Sequence, residues 1–262
     1  MKHLYLVVAL FFTLAAHAKV TVEKVEYKDG DTALEGMIVM DQAKLKNKKA
    51  PGVVVVHDWM GVSDYVKMRA EQLAEMGYVA FVADIYGKGV HPKDNKEAGA
   101  QAGKYKSGDR SLMRSRAKAA FDELAKSKYV DNTKISATGY CFGGTTVLEM
   151  ARMGLPLKGV VSFHGGLSSV NPEDAKKITA KVLVLHGAID PNVPATEVAQ
   201  FQKEMDAAKV DYQFTAYSGA VHAFTEKHAG DDITKGAAYN ENADKRSFIA
   251  AKNFLEEVNQ IK

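Results

Sequence analysis

Residues 139–144, Gly-Tyr-Cys-Phe-Gly-Gly, set a thiol between small residues two positions before and two positions after it. That spacing suits a sharp strand-to-helix turn, because bulk at the flanking positions would collide with neighbouring backbone. Such a turn holds the Cys141 side chain in a strained pose at the carboxyl end of a sheet. It also sets the thiol beside a helix N-terminus, where the dipole favours negative charge. A lone cysteine without such flanks is more often a small buried apolar residue. A nucleophile needs a base, and the base needs an orienting acid. Asp190 closes the stretch His186-Gly187-Ala188-Ile189-Asp190 after one β-rich run, and His222 follows the last such run, in Gly219–Phe224. Taken singly, Asp190 reads as a turn former before Pro191 and His222 as a loop histidine. Taken together with Cys141, they read as a Cys141–His222–Asp190 triad. His57-Asp58-Trp59-Met60-Gly61 ends the first apolar run, so the backbone N–H groups of Trp59 and Phe142 are expected to form an oxyanion hole.

The elements that must position these residues are legible as alternating strands and helices. Val22 to Tyr27 and Ala33 to Met40 read as an antiparallel pair around the Asp29-Gly30-Asp31 turn. Gly52 to His57 is a continuous apolar run, as expected of a strand covered on both faces. Further strands are expected at Tyr78 to Ala83, Lys134 to Thr138, Lys158 to Phe163, Lys181 to His186 and Tyr212 to Tyr217. Helical spacing marks Ser63 to Met76, Ser107 to Lys128, Thr145 to Met153, Ala195 to Ala208 and Lys235 to Val258. About eight strands with interleaved helices imply an α/β fold, a mostly parallel sheet with helices on both faces. The Gly- and Lys-rich stretch from Gly87 to Gly108 is expected to be a loop over one end of the sheet. Arg110, Arg114 and Arg116, on one helix, are expected on its solvated face.

Composition supports one soluble enzyme-sized unit. The chain has 262 residues, of which 46% are hydrophobic and 26% charged, which excludes collagen-like and wholly disordered classes. A net charge of +3 comes from 35 basic and 32 acidic residues without any dense basic block, so nucleic acid is not an expected partner. Residues 1–18 read as a signal peptide: Lys2, the apolar run Leu4 to Ala16, then Ala16-His17-Ala18 as a cleavage site. The run is too short to span a bilayer as a helix. Residues 19–262 are therefore expected to be a single exported domain, free of the membrane after cleavage, periplasmic in a bacterium and secreted otherwise. Cys141 is the only cysteine, which excludes an intramolecular disulfide and leaves a redox role without a resolving thiol. His57, Asp58, His164 and His186 show no metal-ligand spacing, so neither metal nor cofactor is expected.

Five segments carry a resemblance. His57–Gly61, Ala83–Gly89 (ADIYGKG), Gly139–Gly144, His186–Asp190 and Gly219–Phe224 occur in the order found in the dienelactone hydrolase family, and the chain resembles that family over nearly all of residues 19–262. The order nucleophile, aspartate, histidine is that of the wider α/β-hydrolase fold. The resemblance implies hydrolysis of small esters or lactones (carboxymethylenebutenolidase-type chemistry) by Cys141, His222 and Asp190 through an acyl-thioester. It also implies two departures. Asp58 stands where the family typically has a glutamate that restrains the resting thiol, so Asp58 is the residue expected to modulate Cys141. Lys88 and Glu226 stand where the family has two arginines that clamp a substrate carboxylate, and a glutamate repels a carboxylate. Tyr86, Lys88 and Glu226 are thus the expected substrate-binding residues, with Trp59 also near the acyl group, and neutral substrates are expected to be preferred. A catalytically inert binding protein of the same fold is the alternative. The partner is a small molecule, and the protein is expected to be a monomer or small homo-oligomer.

Overall fold

The computed structural model describes residues 20–46 and 48–260, so the signal-peptide segment expected at residues 1–18 lies outside it. In chain order the elements are β1 (Val20–Asp29), β2 (Thr32–Asp41), the single turn α1 (Gln42–Leu45), β3 (Ala50–Val56), α2 (Asp64–Glu75) and β4 (Val79–Ala83). There follow α3 (Asn95–Lys106), α4 (Ser111–Lys126), β5 (Val130–Tyr140), α5 (Phe142–Arg152), β6 (Gly159–Phe163), β7 (Lys181–Gly187), α6 (Ala195–Ala208), β8 (Tyr212–Tyr217) and α7 (Glu241–Asn259). The strands form one eight-stranded sheet in the order β1-β2-β4-β3-β5-β6-β7-β8. β1 pairs antiparallel with β2, β2 antiparallel with β4, and all later neighbours run parallel. This is the α/β-hydrolase fold.

Period-two alternation along β3 divides the core. Val54 and Val56 face one apolar layer with α4 and α5, where Met113, Ala117, Ala120, Val147 and Leu148 are buried. Val53 and Val55 face the other layer, closed by Val66, Ala70 and Leu73 of α2 and Phe254 and Leu255 of α7. Every residue of β4 is buried, as its all-apolar sequence requires in a strand covered on both faces. The carboxyl ends of β3, β5 and β7 therefore share one edge of the sheet, and the segments that leave them carry the candidate chemistry.

Three expectations need correction. The stretch from Gly87 to Gly108 is not all loop. It contains α3, whose N-cap Asp94 accepts the Glu97 N–H at 2.8 Å while the Glu97 carboxylate accepts the Lys93 N–H at 3.0 Å. This capping arrangement, with Ala98, Ala102 and Tyr105 on one buried face, compensates for the helix's low apolar content. Arg110 and Arg116 are not on a solvated face but buried. Arg110 and Arg114 donate to the fully buried Glu149, and Arg116 pairs with Asp29 at 3.1 Å. Their charges are tolerated inside because each has an acid in contact. The last helix starts at Glu241, not Lys235, because residues 227–235 form two short 3₁₀ turns and Asn240 caps α7. Among the described residues no helix is long and apolar enough to cross a membrane.

Candidate active site

The turn between β5 and α5 is as tight as its glycines suggest. A Cβ on Gly139 would lie 2.1 Å from the Gly143 carbonyl oxygen, and one on Gly143 would lie 2.3 Å from that of Val56. Only glycine fits either place. Between them Cys141 takes φ +54° and ψ −111°, a conformation that costs a non-glycine residue on the order of 1–3 kcal/mol. The Cys141 N–H holds this pose by donating to Phe163 O (3.0 Å) and His164 Nδ1 (3.1 Å).

His222 Nε2 lies 3.1 Å from Cys141 Sγ, and its Nδ1 lies 2.8 Å from Asp190 Oδ2. Asp190 is pinned in turn, since its Oδ1 accepts the Asn192 N–H at 2.8 Å. His222 is fixed through its backbone, donating to Gly236 O while its carbonyl accepts the Ala238 N–H. Burial alone would hold the His222 ring neutral. The Cys141 and Asp190 groups beside it overcome that and raise its pKa well above the ordinary histidine value. His164, packed edge-on to His222 at 5.4 Å, is held well below that value by burial first and then by His222.

The loop after β3 is locked by the ring of His57. Its Nε2 accepts the Ile85 N–H (3.2 Å), so Nδ1 carries the proton and donates to Asp58 O (2.6 Å). The ring also stacks on Phe142. Tyr86 donates its hydroxyl to Trp59 O at 3.0 Å. With the loop so held, the N–H groups of Trp59 and Phe142 have no acceptor among the described residues.

Cys141, His222, Trp59 and Glu226 line one cavity of about 730 Å³. The residues expected to bind substrate divide. Glu226 is in the wall, whereas Tyr86 is buried against Tyr105 and Phe142 and supports the Trp59 loop from behind. Lys88 is half exposed outside the cavity and pairs with Glu26 and Glu35, not with Glu226. Asp58 is buried, and its Oδ1 accepts the Met60 N–H at 2.6 Å. Burial, then the charge of Glu226, lifts its carboxyl to about 7. Sequence reasoning missed Asn95, Lys106, Asn192, His228 and Lys235, all in the cavity wall. Asn95 and Lys106 became visible only once α3 was found. Asn192 could have been suspected from its place two residues after Asp190.

The sequence pattern of the dienelactone hydrolase family matches residues 37–259. The chain belongs to the dienelactone hydrolase family. As a dienelactone hydrolase-family protein it is a hydrolase of esters or lactones. It is similar in structure to the dienelactone hydrolase-like promiscuous phosphotriesterase P91 from metagenomic libraries, with 40% identity and a TM-score of 0.86 over 91% of this chain and 98% of that one. The solved protein m3DLH is similarly related, at 38% identity and a TM-score of 0.87, again over 91% and 98% of the two chains. Among curated proteins, the "Probable 2-oxo-3-(5-oxofuran-2-ylidene)propanoate lactonase" of a Bradyrhizobium species is 29% identical over 203 residues, 73% of this chain and 81% of its own.

Proposed function

We propose that the protein hydrolyses small esters or lactones with Cys141 as nucleophile, His222 as general base and acid, and Asp190 as the group that orients His222. The unbroken line Asp190 Oδ2 to His222 Nδ1 to His222 Nε2 to Cys141 Sγ carries this reading. Sγ attacks the substrate carbonyl as its proton passes to Nε2. The resulting oxyanion accepts hydrogen bonds from the Trp59 and Phe142 N–H groups, worth about 3 kcal/mol per donor in such sites. The tetrahedral species collapses, the leaving alkoxide takes the proton from Nε2, and an acyl-thioester remains. Water then gives its proton to Nε2 as it attacks the thioester, releasing the acid and restoring the thiol.

Asp58 acts on the thiol through its charge, since the Sγ hydrogen bond goes to His222. The apolar contributions of Trp59, Met60, Val193 and Ala237 to the wall favour a small neutral acyl group. The protein works alone or as a small homo-oligomer outside the cytoplasm, the location that residues 1–18 support. Intact-mass analysis during turnover of p-nitrophenyl acetate tests the mechanism. One acetyl group is expected on the wild type and none on Cys141→Ala. Turnover by Cys141→Ala above about a tenth of the wild-type rate would remove Cys141 from its role. Absence of both adduct and turnover in the wild type would favour the inert binding protein.

A further inference from the structure

Beside the triad, a second group of side chains makes no hydrogen bond to it. Asp58 comes from the loop after β3, and Glu226 and His228 come from the segment that follows His222. One ligand atom from each of the three lies within 4.8 Å of the others. Asp58 and Glu226 are almost wholly buried, and each keeps one carboxylate oxygen without a partner, Asp58 Oδ2 and Glu226 Oε1. Their other oxygens are occupied: Asp58 Oδ1 takes the Met60 N–H, and Glu226 Oε2 lies 3.3 Å from His228 Nε2. Buried acceptors left bare are costly, and a cation held between two such oxygens would relieve both.

We infer that Asp58, Glu226 and His228 bind one divalent transition-metal ion of the zinc class. Two carboxylates with an imidazole suit such an ion better than calcium or magnesium, which prefer oxygen ligands alone. Tetrahedral bonds of about 2.0–2.2 Å set donor atoms ~3.3–3.6 Å apart, the spacing Glu226 and His228 already have at 3.3 Å, so binding requires a closure of the wider contacts by up to about an ångström. His228 can supply it, because its ring is half exposed and stands on the short 3₁₀ turn Lys227–Ala229. Glu226 and His228 both line the active-site cavity, so an ion held by them would be reached from it. Sequence spacing hides the site, since its ligands come from two segments far apart in the chain. The inference does not depend on Cys141 being a nucleophile.

The competing sink for zinc is the Cys141–His222 pair itself, and the test separates the two. Zn²⁺ is titrated calorimetrically into the untagged full chain as wild type, Cys141→Ala, Asp58→Asn and Glu226→Gln. One equivalent is expected to bind to wild type and to Cys141→Ala alike. Affinity is expected to fall by roughly tenfold or more in Asp58→Asn and in Glu226→Gln, at least the loss seen when groups merely supporting a ligand are removed. Co²⁺ is titrated in parallel by absorption spectroscopy, and its spectrum should lack the intense thiolate-to-cobalt band. Both amides are near-isosteric and relieve a like-charge contact, so thermal melting should show folded proteins. Zinc binding that disappears in Cys141→Ala, survives in Glu226→Gln, or is absent from the wild type would overturn the inference.

Discussion

Replacing Asp190 by Asn tests the line of groups that defines the reaction. The Asp190 side chain is fully buried, with Oδ2 2.8 Å from His222 Nδ1. Charge centres in such a contact are about 4 Å apart, and at an effective dielectric near 20 the attraction for an imidazolium is about 4 kcal/mol. The His222 pKa is already raised in the resting protein, so part of this attraction is present before substrate binds and only the remainder falls on the transition state. Each 1.36 kcal/mol is a factor of ten, so the loss in kcat/KM is expected to lie between about tenfold and a thousandfold. Asn preserves the acceptor for the Asn192 N–H, so the fold should be kept. Steady-state hydrolysis of p-nitrophenyl acetate measures the loss, and the pH dependence of iodoacetamide alkylation supplies a second readout. Asp190 is one of the groups that raise the His222 pKa. Without it His222 loses its proton at lower pH, the imidazolium–thiolate pair is less populated, and the alkylation limb moves to higher pH. A loss smaller than about tenfold with an unmoved alkylation profile would refute the assignment.

Other expectations follow from packing and charge. Gly143→Ala drives a Cβ into the Val56 carbonyl and should cost about 1–3 kcal/mol with a fall in melting temperature of roughly 5 °C; a wild-type melt would mean that the turn can relax. Glu149→Ala strips the buried Arg110 and Arg152 and the partly buried Arg114 of their shared acid and should cost about 3–5 kcal/mol in urea unfolding, whereas Lys118→Ala, which breaks an exposed pair, should cost under about 0.5 kcal/mol. His164 stays neutral in the folded protein but takes a proton in the unfolded chain below about pH 6.5, so it lowers stability as pH falls, by up to ~1.4 kcal/mol per pH unit. The stability-versus-pH curve of His164→Gln should be flatter there, and parallel curves would show that the ring does not stay neutral. A neutral ester should give a higher kcat/KM than its carboxylate analogue; preference for the acid, abolished in a Lys106→Met, Lys235→Met double variant, would show that these two wall lysines serve as the anion site.

Local rules carried much of the fold. α6 and β8 run over the same residues that periodicity and turn signals mark, because Ala195–Ala208 and Tyr212–Tyr217 state their periods without competition. α3 escapes local pattern because its stability rests on the Asp94 and Glu97 caps and a narrow alanine face, a weak signal against two glycines inside the helix, Gly99 and Gly103. Arg110 and Arg116 were misplaced for a different reason. A charged residue in a helix reads as exposed until its partner is known, and Glu149 and Asp29 come from other elements.

The same division runs through the site. By itself the sequence determined the elbow, because a Cβ at 139 would strike the backbone of Gly143 in the same turn, and it determined the order of Cys141, Asp190 and His222 along the chain. These are properties of a residue and its immediate neighbours. The tertiary structure alone decided that Lys88 faces Glu26 outside the cavity and that Tyr86 braces the Trp59 loop from behind. It alone decided that Asp58, Glu226 and His228 converge with two bare oxygens. Where a long side chain points, and which charge it meets, depends on packing between segments distant in the chain, and no local pattern encodes that.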